Sequence, residues 1–541
     1  MNPPKFRGAH ALVQSLRALG VRRVFTLSGN HVMPVFDAAL DADLELIHVR
    51  HEAAAVHMAD AYARLTGEPG VALVTGGPGH ANAVGALYTA SMAESPVVLL
   101  SGHAPTDELG MGAFQEMRQA DIAAPLTKAS WTCQGAAAVA SDMERAVQIA
   151  LAGRPGAVHL SLPSDCLENE TAPGFARAAG IAPERPPIDA RPFVERLRRA
   201  QRPLIIAGPA SMTRAGRARM ARLEAAAAIP VIGMESPRGI ADPSLGAFAE
   251  ILGEADCVLL LGKRLDFTLR FGDSPAFDAQ CEFLQVDAEA GEIERTRRAA
   301  GTRLTLAAIA GLFAAADGIV GAALSEPVAG GDWLEKVRAA VAYRPAAWDG
   351  AVSREPGRLH PVQALRPLQA ILDAHRDAVF ISDGGEIGQW AQACLHAPHR
   401  VINGVAGSIG AALPFALAAR LAQPEAPIVA VMGDGTFGFH PAEIDTAVRY
   451  ALPFLLVVGN DARWNAEYQI QLRDYGRDRA KGCELLPARY DQVAAAFGGH
   501  GELVTEAREV LAAARRAEAS GLPACLNIMI DGVAAPNIRM P

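Results

Sequence analysis

The segment 428–465 constrains the fold of this 541-residue chain more than any other, and it reads IVAVMGDGTFGFHPAEIDTAVRYALPFLLVVGNDARWN. Two short apolar runs, at 428–432 and 453–458, are typical of buried parallel strands. Pro441 is expected in the first turn of the helix that connects them. A strand–helix–strand unit is the repeating element of α/β folds, so the sequence predicts that this segment lies within an open parallel sheet.

Each of the two predicted strands is followed by a polar loop. Asp434 lies between two glycines after the first strand, and Asp461 follows Asn460 after the second. Ligands of open α/β sheets bind at the carboxyl ends of the strands. The separation of 461 − 434 = 27 positions allows one crossover to bring both carboxylates to one hard cation. Oxygen ligands and glycine-exposed amides suit Mg²⁺ with a diphosphate. For Gly-Asp-Gly alone, a plain turn with a solvated aspartate remains the alternative.

The rest of the chain supports an α/β class with several domains. Half of the residues are hydrophobic, and Ala-rich helical patterns alternate with short Val/Leu/Ile runs. We predict three doubly wound α/β domains with mainly parallel sheets, over 1–170, 190–325 and 360–541. Two linkers rich in Pro and Gly are predicted between them, over 170–187 and 326–358.

Charge, hydropathy and cysteine content exclude several classes of function. The net charge is −9 and no basic run occurs, so nucleic acid is not expected as a partner. No apolar stretch reaches the roughly 18–20 residues of a membrane span, and the amino terminus lacks the apolar core of a signal peptide. The seven cysteines are scattered without a C-x-x-C pair, so neither disulfides nor zinc is expected. We expect a soluble, cytoplasmic protein that does not bind membranes.

The segment that begins with Gly-Asp-Gly and ends in Asn-Asp resembles the thiamine diphosphate motif of the acetolactate synthase-like enzymes. The resemblance implies that Asp434, Asp461 and the backbone carbonyl of Arg463 hold Mg²⁺. In that family an Asn usually stands where this chain has Asp461, so the departure keeps an oxygen ligand and adds a negative charge. The further cofactor contacts implied by this motif are Gly433, Gly435 and Thr436.

The first predicted domain contains a second part of the same resemblance. The sequence RHEAAAVHMADAYAR resembles the family segment around its catalytic glutamate, which implies that Glu52 hydrogen-bonds the aminopyrimidine ring and promotes its imino tautomer. A carboxylate favoured by the helix dipole is the alternative for a lone glutamate. Gly79 and Asn82 resemble the turn beside the pyrimidine in relatives.

Two further residues of the first domain are candidates for proton transfer and substrate contact. Gln115 lies in GAFQE, which resembles the acetolactate synthase and 2-hydroxyacyl-CoA lyase branch, where this glutamine reaches a substrate oxygen. His31 lies where benzaldehyde lyase has a catalytic histidine. A locally satisfied amide and a capping or surface histidine are the respective alternatives. The resemblance implies a substrate pocket formed by Asn30, His80, Phe114, Trp464 and Ala466.

The last predicted domain supplies the remaining cofactor contacts. Gly385 and Glu386 lie in a turn that relatives use for the diphosphate. The turn GSIG resembles the family wedge, so that Ile409 would hold the cofactor in its bent shape and the Gly407 carbonyl would accept its amino hydrogen. The middle domain lacks a G-x-G-x-x-G after its strands, so nicotinamide binding is not supported. FAD is not expected either.

The reaction class rests on the residues after the metal loop. Acetolactate synthase has an acceptor-selecting Trp nine positions after its second metal ligand, and Ile470 stands there in this chain. Trp464-Asn465-Ala466 is similar to a segment of benzaldehyde lyase. These features imply a lyase/carboligase acting on 2-hydroxy ketones or 2-hydroxyacyl-CoA through a C2 ylide and an enamine.

Two alternatives to this reaction class remain open. One is a 2-keto acid decarboxylase or an acetolactate synthase-type transferase, and the other is a non-catalytic regulatory protein that binds thiamine diphosphate. In this family the two halves of a site come from different subunits. We therefore expect at least a homodimer, and a homotetramer as the complete assembly. The partner is a small carbonyl compound, with an acyl-CoA as one candidate.

Overall fold

A computed structural model describes residues 6–174, 188–324 and 331–540. These residues form three parallel sheets with helices on both faces, which confirms the predicted fold class. By its contacts the chain divides into two compact units. The first comprises the described residues before 184 together with 413–424 and 442–452, and the second comprises the remainder.

The first sheet lies in the first unit and has the strand order β2-β1-β3-β4-β6-β5, all parallel. Its strands are β1 (Arg23–Thr26), β2 (Glu45–His48), β3 (Gly70–Val74), β4 (Val97–His103), β5 (Ser130–Thr132) and β6 (Val158–Pro163). Its helices are α1 (Gly8–Ala18), α2 (Met33–Ala39), α3 (Glu52–Thr66), α4 (Pro78–Met92), α5 (Gln119–Ala123), α6 (Val139–Leu151) and α7 (Ser164–Glu168).

The second sheet lies in the second unit, with the strand order β11-β10-β9-β7-β8. Its strands are β7 (Pro203–Ala207), β8 (Val231–Gly233), β9 (Cys257–Leu261), β10 (Glu282–Asp287) and β11 (Leu304–Ile309). Its helices are α8 (Arg191–Arg199), α9 (Arg214–Ala227), α10 (Phe248–Ile251), α11 (Ala290–Ala300), α12 (Leu312–Leu324) and α13 (Asp332–Ala342). Alternate residues of β7 enter different cores: Leu204 and Ile206 join one apolar cluster, and Ile205 and Ala207 join another. The sheet is therefore buried on both faces.

The third sheet has the strand order β13-β12-β14-β15-β17-β16 and also lies in the second unit. Its strands are β12 (Val379–Ser382), β13 (His399–Ile402), β14 (Ile428–Gly433), β15 (Leu455–Asn460), β16 (His500–Val504) and β17 (Ala524–Met529). The helices of this part of the chain are α14 (Pro361–Leu365), α15 (Gln369–Leu372), α16 (Gly385–Cys394), α17 (Ala412–Ala422), α18 (Asp434–Phe437), α19 (Glu443–Arg449), α20 (Asn465–Asp474), α21 (Tyr490–Ala496) and α22 (Val510–Ala519). Numbered from its own first strand, this sheet has the same order as the first.

The predicted strand–helix–strand unit is present with two corrections. Strands β14 and β15 pair in parallel, and Gly433 lies opposite Gly459. The connecting helix begins at Glu443 rather than at Pro441. The loop expected after β14 is instead the short helix α18, whose turn is closed by a hydrogen bond from the Thr436 hydroxyl to the Gly433 carbonyl (3.0 Å).

Two late segments of the chain complete the first unit. The ring of Phe415, from 413–424, meets the ring of His57 edge to face with centroids 5.7 Å apart. From 442–452, the Glu443 carboxylate accepts a hydrogen bond from the backbone N–H of Arg50 (3.0 Å). The Tyr450 hydroxyl accepts a hydrogen bond from the backbone N–H of His48 (2.8 Å). The first unit is therefore built from residues that lie far apart in sequence.

The predicted boundaries at 1–170, 190–325 and 360–541 stay predictions. Residues 175–187 of the first predicted linker and 326–330 of the second lie outside the described residues. Among the described helices, none combines the length and the apolar character that crossing a bilayer requires.

Candidate active site

The first unit brings together Glu52, Gly79 and Asn82, the three residues assigned to the pyrimidine side. Glu52 is the first residue of α3 and is 8% exposed. Its Oε2 accepts a hydrogen bond from the Asn82 side-chain amide at 3.0 Å. A Cβ added at Gly79 would lie 3.4 Å from Glu52 Oε1, so the turn at the start of α4 packs closely on the carboxylate. This arrangement fixes the orientation of a buried carboxyl group, as proton transfer to a ring nitrogen requires.

Gln119 holds this turn in place, and the sequence reasoning did not identify it. Its side chain is 1% exposed, and its Oε1 accepts a hydrogen bond from the backbone N–H of Gly77 (2.8 Å). Its Nε2 donates to the Gly102 carbonyl (3.0 Å) and to the Ser161 hydroxyl (2.8 Å). The three partners belong to distant parts of the chain, so no local sequence signal marks this role.

His31 is buried beside Phe114 and Thr75. Its Nδ1 is 3.0 Å from the Thr75 hydroxyl, and its ring stacks on Phe114 with centroids 6.2 Å apart. Burial lowers the pKa of His31, and His103 adds to the shift. The neutral imidazole is therefore the stable form near pH 7, which leaves it able to accept a proton.

The loop that carries Gln115 is strained and firmly held. Gln115 has a φ of +58°, and its buried Oε1 has no hydrogen-bond partner among the residues that the structure describes. The carboxylate of Glu116 accepts hydrogen bonds from the backbone N–H groups of Gly112 (3.0 Å) and Ala113 (3.1 Å). An unpaired amide oxygen on a fixed loop is suited to a polar ligand.

The predicted pocket residues of the first unit have different surroundings. Phe114 is 68% exposed and Asn30 is also exposed, whereas His80 is completely buried. His80 Nδ1 is 2.8 Å from the Ser101 hydroxyl, and its ring centroid is 4.6 Å from that of His159. The structure thus places His80 within the core, because its helix turns this side chain toward β4 and β6.

In the second unit, Asp434 and Asp461 leave neighbouring strands at the carboxyl edge of the third sheet. Both are buried, at 2% and 6% exposed. Burial raises the pKa of Asp434 to about 6, against the backbone N–H groups that favour its ionised form. Burial and then the charge of Asp434 raise the pKa of Asp461 to about 8. Two buried carboxyl groups, one of which disfavours ionisation of the other, fit a divalent cation.

A groove contains these carboxylates and lies where the strand order of the sheet reverses, between β12 and β14. Helix α16 begins there after Gly384 without a side-chain cap, so its first N–H groups face the groove. The groove is lined by Gly384, Gly385, Glu386, Ile387, Ile409, Gly433, Asp434, Gly435, Thr436, Gly459, Asp461, Arg463, Trp464, Asn465, Ala466 and Glu467. Of the site residues predicted in the second unit, only Gly407 does not line the groove, and it lies near Pro237.

Two close contacts fix the walls of the groove. A Cβ at Gly435 would lie 2.7 Å from the Trp464 ring, and one at Gly384 would lie 2.7 Å from the Ile409 side chain, so both positions require glycine. Asp383, which the sequence reasoning also missed, accepts backbone hydrogen bonds from Gly410 (3.0 Å) and Ala412 (2.9 Å). It thereby anchors the segment that carries Ile409.

The groove has the donor set for a diphosphate with a divalent cation. The amides at the start of α16 suit phosphate oxygens, and the carboxylates suit the metal. The described residues contain no cluster of three or more His, Cys, Asp or Glu side chains that could hold a metal. The two carboxylates therefore suit a metal ion whose other ligands are backbone and diphosphate oxygens, rather than a metal ion held by side chains alone.

A cavity of about 570 Å³ lies beside the groove and shares Glu386 and Ala466 with it. Ile470, 46% exposed, lies on its wall, and the other lining residues are mostly small or apolar. Arg238 also lines the cavity, with a guanidinium nitrogen 3.4 Å from the Glu386 carboxylate. Burial raises the pKa of Glu386, and Arg238 opposes this shift.

Comparison with known families matches three models along the chain. They are the N-terminal TPP binding domain of thiamine pyrophosphate enzymes over 6–122, the central domain over 191–310, and the C-terminal TPP binding domain over 383–528. Thiamine pyrophosphate is the same compound as thiamine diphosphate.

Similar proteins fall into two groups by name. A "Probable acetolactate synthase" of Mycobacterium bovis is 32% identical over 98% of this chain and 96% of its own length. The "2-hydroxyacyl-CoA lyase 2" of Homo sapiens is 30% identical over 97% of this chain and 90% of its own. The "2-hydroxyacyl-CoA lyase" of Arabidopsis thaliana is 27% identical over 98% and 96%.

Proposed function

Because this chain belongs to the thiamine pyrophosphate enzyme family, we propose that it is a Mg²⁺-dependent carbon–carbon lyase/carboligase acting on 2-hydroxy ketones or 2-hydroxyacyl-CoA thioesters. The family membership makes the chain an enzyme that uses thiamine diphosphate. The identities to acetolactate synthases and to 2-hydroxyacyl-CoA lyases are about equal, so the choice between these activities rests on the site.

The choice between the two activities rests on the cavity that Ile470 lines. The resemblance to acetolactate synthase leads one to expect a tryptophan at this position, and an indole would fill part of the space. With isoleucine the cavity has about 570 Å³ beside the cofactor groove. That volume favours a substrate larger than a pair of small 2-keto acids.

The proposed roles follow from the contacts of each side chain. When bound, thiamine diphosphate supplies a nucleophilic carbon and an electron sink. Asp434, Asp461 and the Arg463 carbonyl hold Mg²⁺, and the first N–H groups of α16 bind phosphate oxygens. Glu52, oriented by Asn82, holds the proton at the aminopyrimidine nitrogen.

The substrate side is assigned to the first unit. His31, neutral because burial lowers its pKa, accepts or returns the proton of a substrate hydroxyl. The free Oε1 of Gln115 accepts a hydrogen bond from the same substrate region. Phe114 contributes an exposed apolar surface next to His31.

A donor and acceptor panel tests the proposal. Purified protein with thiamine diphosphate and Mg²⁺ is incubated with benzoin-type ketones, 2-hydroxyacyl-CoA thioesters and 2-keto acids, and products are identified by mass spectrometry. We expect aldehyde release from the first two classes. Release of CO₂ from pyruvate with no cleavage of either hydroxy substrate would refute the lyase assignment.

The second candidate is an acetolactate synthase-type transferase, or a simple 2-keto acid decarboxylase. Its support is the 32% identity to a probable acetolactate synthase over nearly the whole chain. Formation of acetolactate from pyruvate in the same panel identifies it.

We also propose a homodimer as the minimum assembly and a homotetramer as the working form. The support is the family resemblance, together with exposed apolar side chains of the first unit such as Met111 and Phe114. Light scattering coupled to size-exclusion chromatography measures the mass directly, and a monomer that retains full activity would contradict the proposal.

A further inference from the structure

Two buried carboxylates at one edge of the third sheet have opposite surroundings. Asp383 and Asp434 follow the adjacent strands β12 and β14. The carboxylate of Asp383 is saturated by the backbone N–H groups of Gly384 (2.7 Å), Gly410 (3.0 Å) and Ala412 (2.9 Å). The Oδ2 atom of Asp434 has no hydrogen-bond partner within the described residues, although the residue is buried. An unpaired buried carboxylate oxygen is costly, so Asp434 is suited to a bound cation.

Asp461 adds a second negative charge at the same place. The register of β14 and β15 pairs Gly433 with Gly459, so Asp434 and Asp461 lie one and two residues past this pair. Where relatives usually have a neutral asparagine, this chain therefore has a carboxylate. Its metal site therefore has one more carboxyl group than the family pattern.

Acidic side chains outnumber basic ones around this pair. Of the described residues that line the groove, Glu386, Asp434, Asp461 and Glu467 are acidic, and Arg463 is basic. The Arg463 guanidinium packs over the Tyr468 ring, with its carbon 4.7 Å from the ring centroid. The groove therefore has more carboxyl groups than cationic side chains, and a divalent cation would balance them.

We infer that this protein binds a divalent cation at Asp434 and Asp461 without thiamine diphosphate. The inference rests on the proposed function only in taking this site as the cofactor's metal site. In a site with one carboxylate, the diphosphate supplies much of the charge that attracts the metal. Here Asp461 supplies that charge, so the metal-loaded protein precedes the complete holoenzyme and presents a cation to the incoming diphosphate.

Manganese titration of cofactor-free protein tests the inference. Protein is stripped of metal and thiamine diphosphate with EDTA and dialysis, and free Mn²⁺ is followed by its electron paramagnetic resonance signal. We expect about one Mn²⁺ per chain, displaced by Mg²⁺. In Asp461→Asn, which keeps the size of the side chain, we expect binding at least about tenfold weaker, or about 1.4 kcal/mol. With saturating thiamine diphosphate, the difference between the two proteins becomes smaller.

A matched control separates the site from general surface charge. Asp474→Asn removes an exposed carboxylate of the same unit that pairs with Arg473, and it leaves Mn²⁺ binding unchanged. Circular dichroism shows whether each variant is folded. Equal affinity of wild type and Asp461→Asn, equal weakening by Asp474→Asn, or Mn²⁺ binding only with thiamine diphosphate would overturn the inference. None of these measurements uses turnover, so an inactive protein with intact Mn²⁺ binding would contradict the proposed function alone.

Discussion

The first and third sheets have the same strand order. The segments that follow their third strands, β3 and β14, nevertheless differ in how a nearby buried carboxylate is hydrogen-bonded. After β3, the turn at Gly77 to Gly79 lies against Glu52, whose carboxylate is paired with Asn82 inside the protein. After β14, Gly433 to Gly435 frame Asp434, which has an unpaired oxygen. One topology therefore supports a half-site whose carboxylate is paired within the protein and a half-site whose unpaired carboxylate oxygen would bind the proposed cation.

The titratable groups of the two units differ in the same sense. In the first unit, buried histidines such as His57 and His80 have lowered pKa values, so they are neutral at pH 7. In the second unit, the buried carboxylates Asp383, Asp434 and Asp461 have raised pKa values. The first unit pairs its buried carboxylate Asp60 with Arg64, whereas Asp434 of the second unit keeps an unpaired oxygen that a ligand can use.

The largest effect is expected from Glu52→Gln, which we predict to lower turnover about 10³-fold because the variant cannot take up the aminopyrimidine proton. The matched control is Glu443→Gln, another buried glutamate of the first unit, which binds the backbone of Arg50 (3.0 Å) and the Thr446 hydroxyl (2.7 Å). The control should lower the melting temperature and retain turnover within a few-fold. Steady-state kinetics and calorimetry measure both, and a Glu52→Gln enzyme with near-normal turnover would remove the assignment.

Saturating divalent cation is predicted to stabilise the second unit selectively. At about 100 times Kd the gain in unfolding free energy is about 2.7 kcal/mol. Hydrogen exchange should slow at 434–437 and 461–466 and stay unchanged at 52–66, and EDTA should reverse the effect. Equal protection in both units would show that the half-sites do not differ as described.

Gln119→Leu is predicted to destabilise the first unit by about 2 kcal/mol, because it leaves buried backbone groups of Gly77 and Gly102 unpaired. Gln119→Glu keeps the acceptor for Gly77, but it sets a buried carboxylate oxygen against the Gly102 carbonyl, so it should also destabilise the unit. Urea unfolding followed by circular dichroism ranks the variants. A Leu variant as stable as the wild type would contradict the role of this side chain.

Mild acid is predicted to act in opposite directions on two buried groups, His57 of the first unit and Asp383 of the second. His57 has its pKa lowered to about 3, so the unfolded chain, with a histidine pKa of about 6.5, binds the proton more readily. The stability that neutral His57 contributes above pH 6.5 is therefore lost as the pH falls. At pH 6 the loss in unfolding free energy from this group is about 1 kcal/mol.

In the second unit, Asp383 has the opposite effect on how stability depends on pH. Its pKa is raised to about 6, above the ordinary value of 3.8, so its ionisation costs stability at high pH and acid relieves that cost. Hydrogen exchange at pH 7.5 and pH 6, corrected for the pH dependence of the intrinsic exchange rate, should therefore show the region around His57 opening more at pH 6 and the region around Asp383 opening less. Parallel changes in both units would contradict this contrast.

The regular elements and the common sheet edge of Asp434 and Asp461 were predictable because their signals are local. The apolar runs gave β14 and β15 to within two residues, and the spacing of Asp434 and Asp461 correctly placed both at one sheet edge. The segment around Glu52 located the start of α3. Strand burial and crossover geometry are properties of short windows, which a single sequence displays.

The remaining features depend on contacts between distant residues. Gln119 and Asp383 act through backbone groups that only the folded chain brings near. His80 was expected in a pocket, but the interior of the sheet provides it with the Ser101 hydroxyl. The helix α18 forms where a loop was expected, because a single turn after a strand has no periodicity to detect.

The two late segments that complete the first unit have a consequence for protein synthesis. The last strand of its sheet ends at Pro163, but Phe415 follows 415 − 163 = 252 residues later, and Glu443 and Tyr450 follow 280 and 287 residues later. During synthesis, the first unit is therefore expected to stay incomplete, with part of its apolar surface exposed, until 442–452 has left the ribosome. Much of the second unit is synthesised before then. Chaperone occupancy of nascent chains should persist up to that point, and an isolated fragment ending near residue 174 would lack this covering.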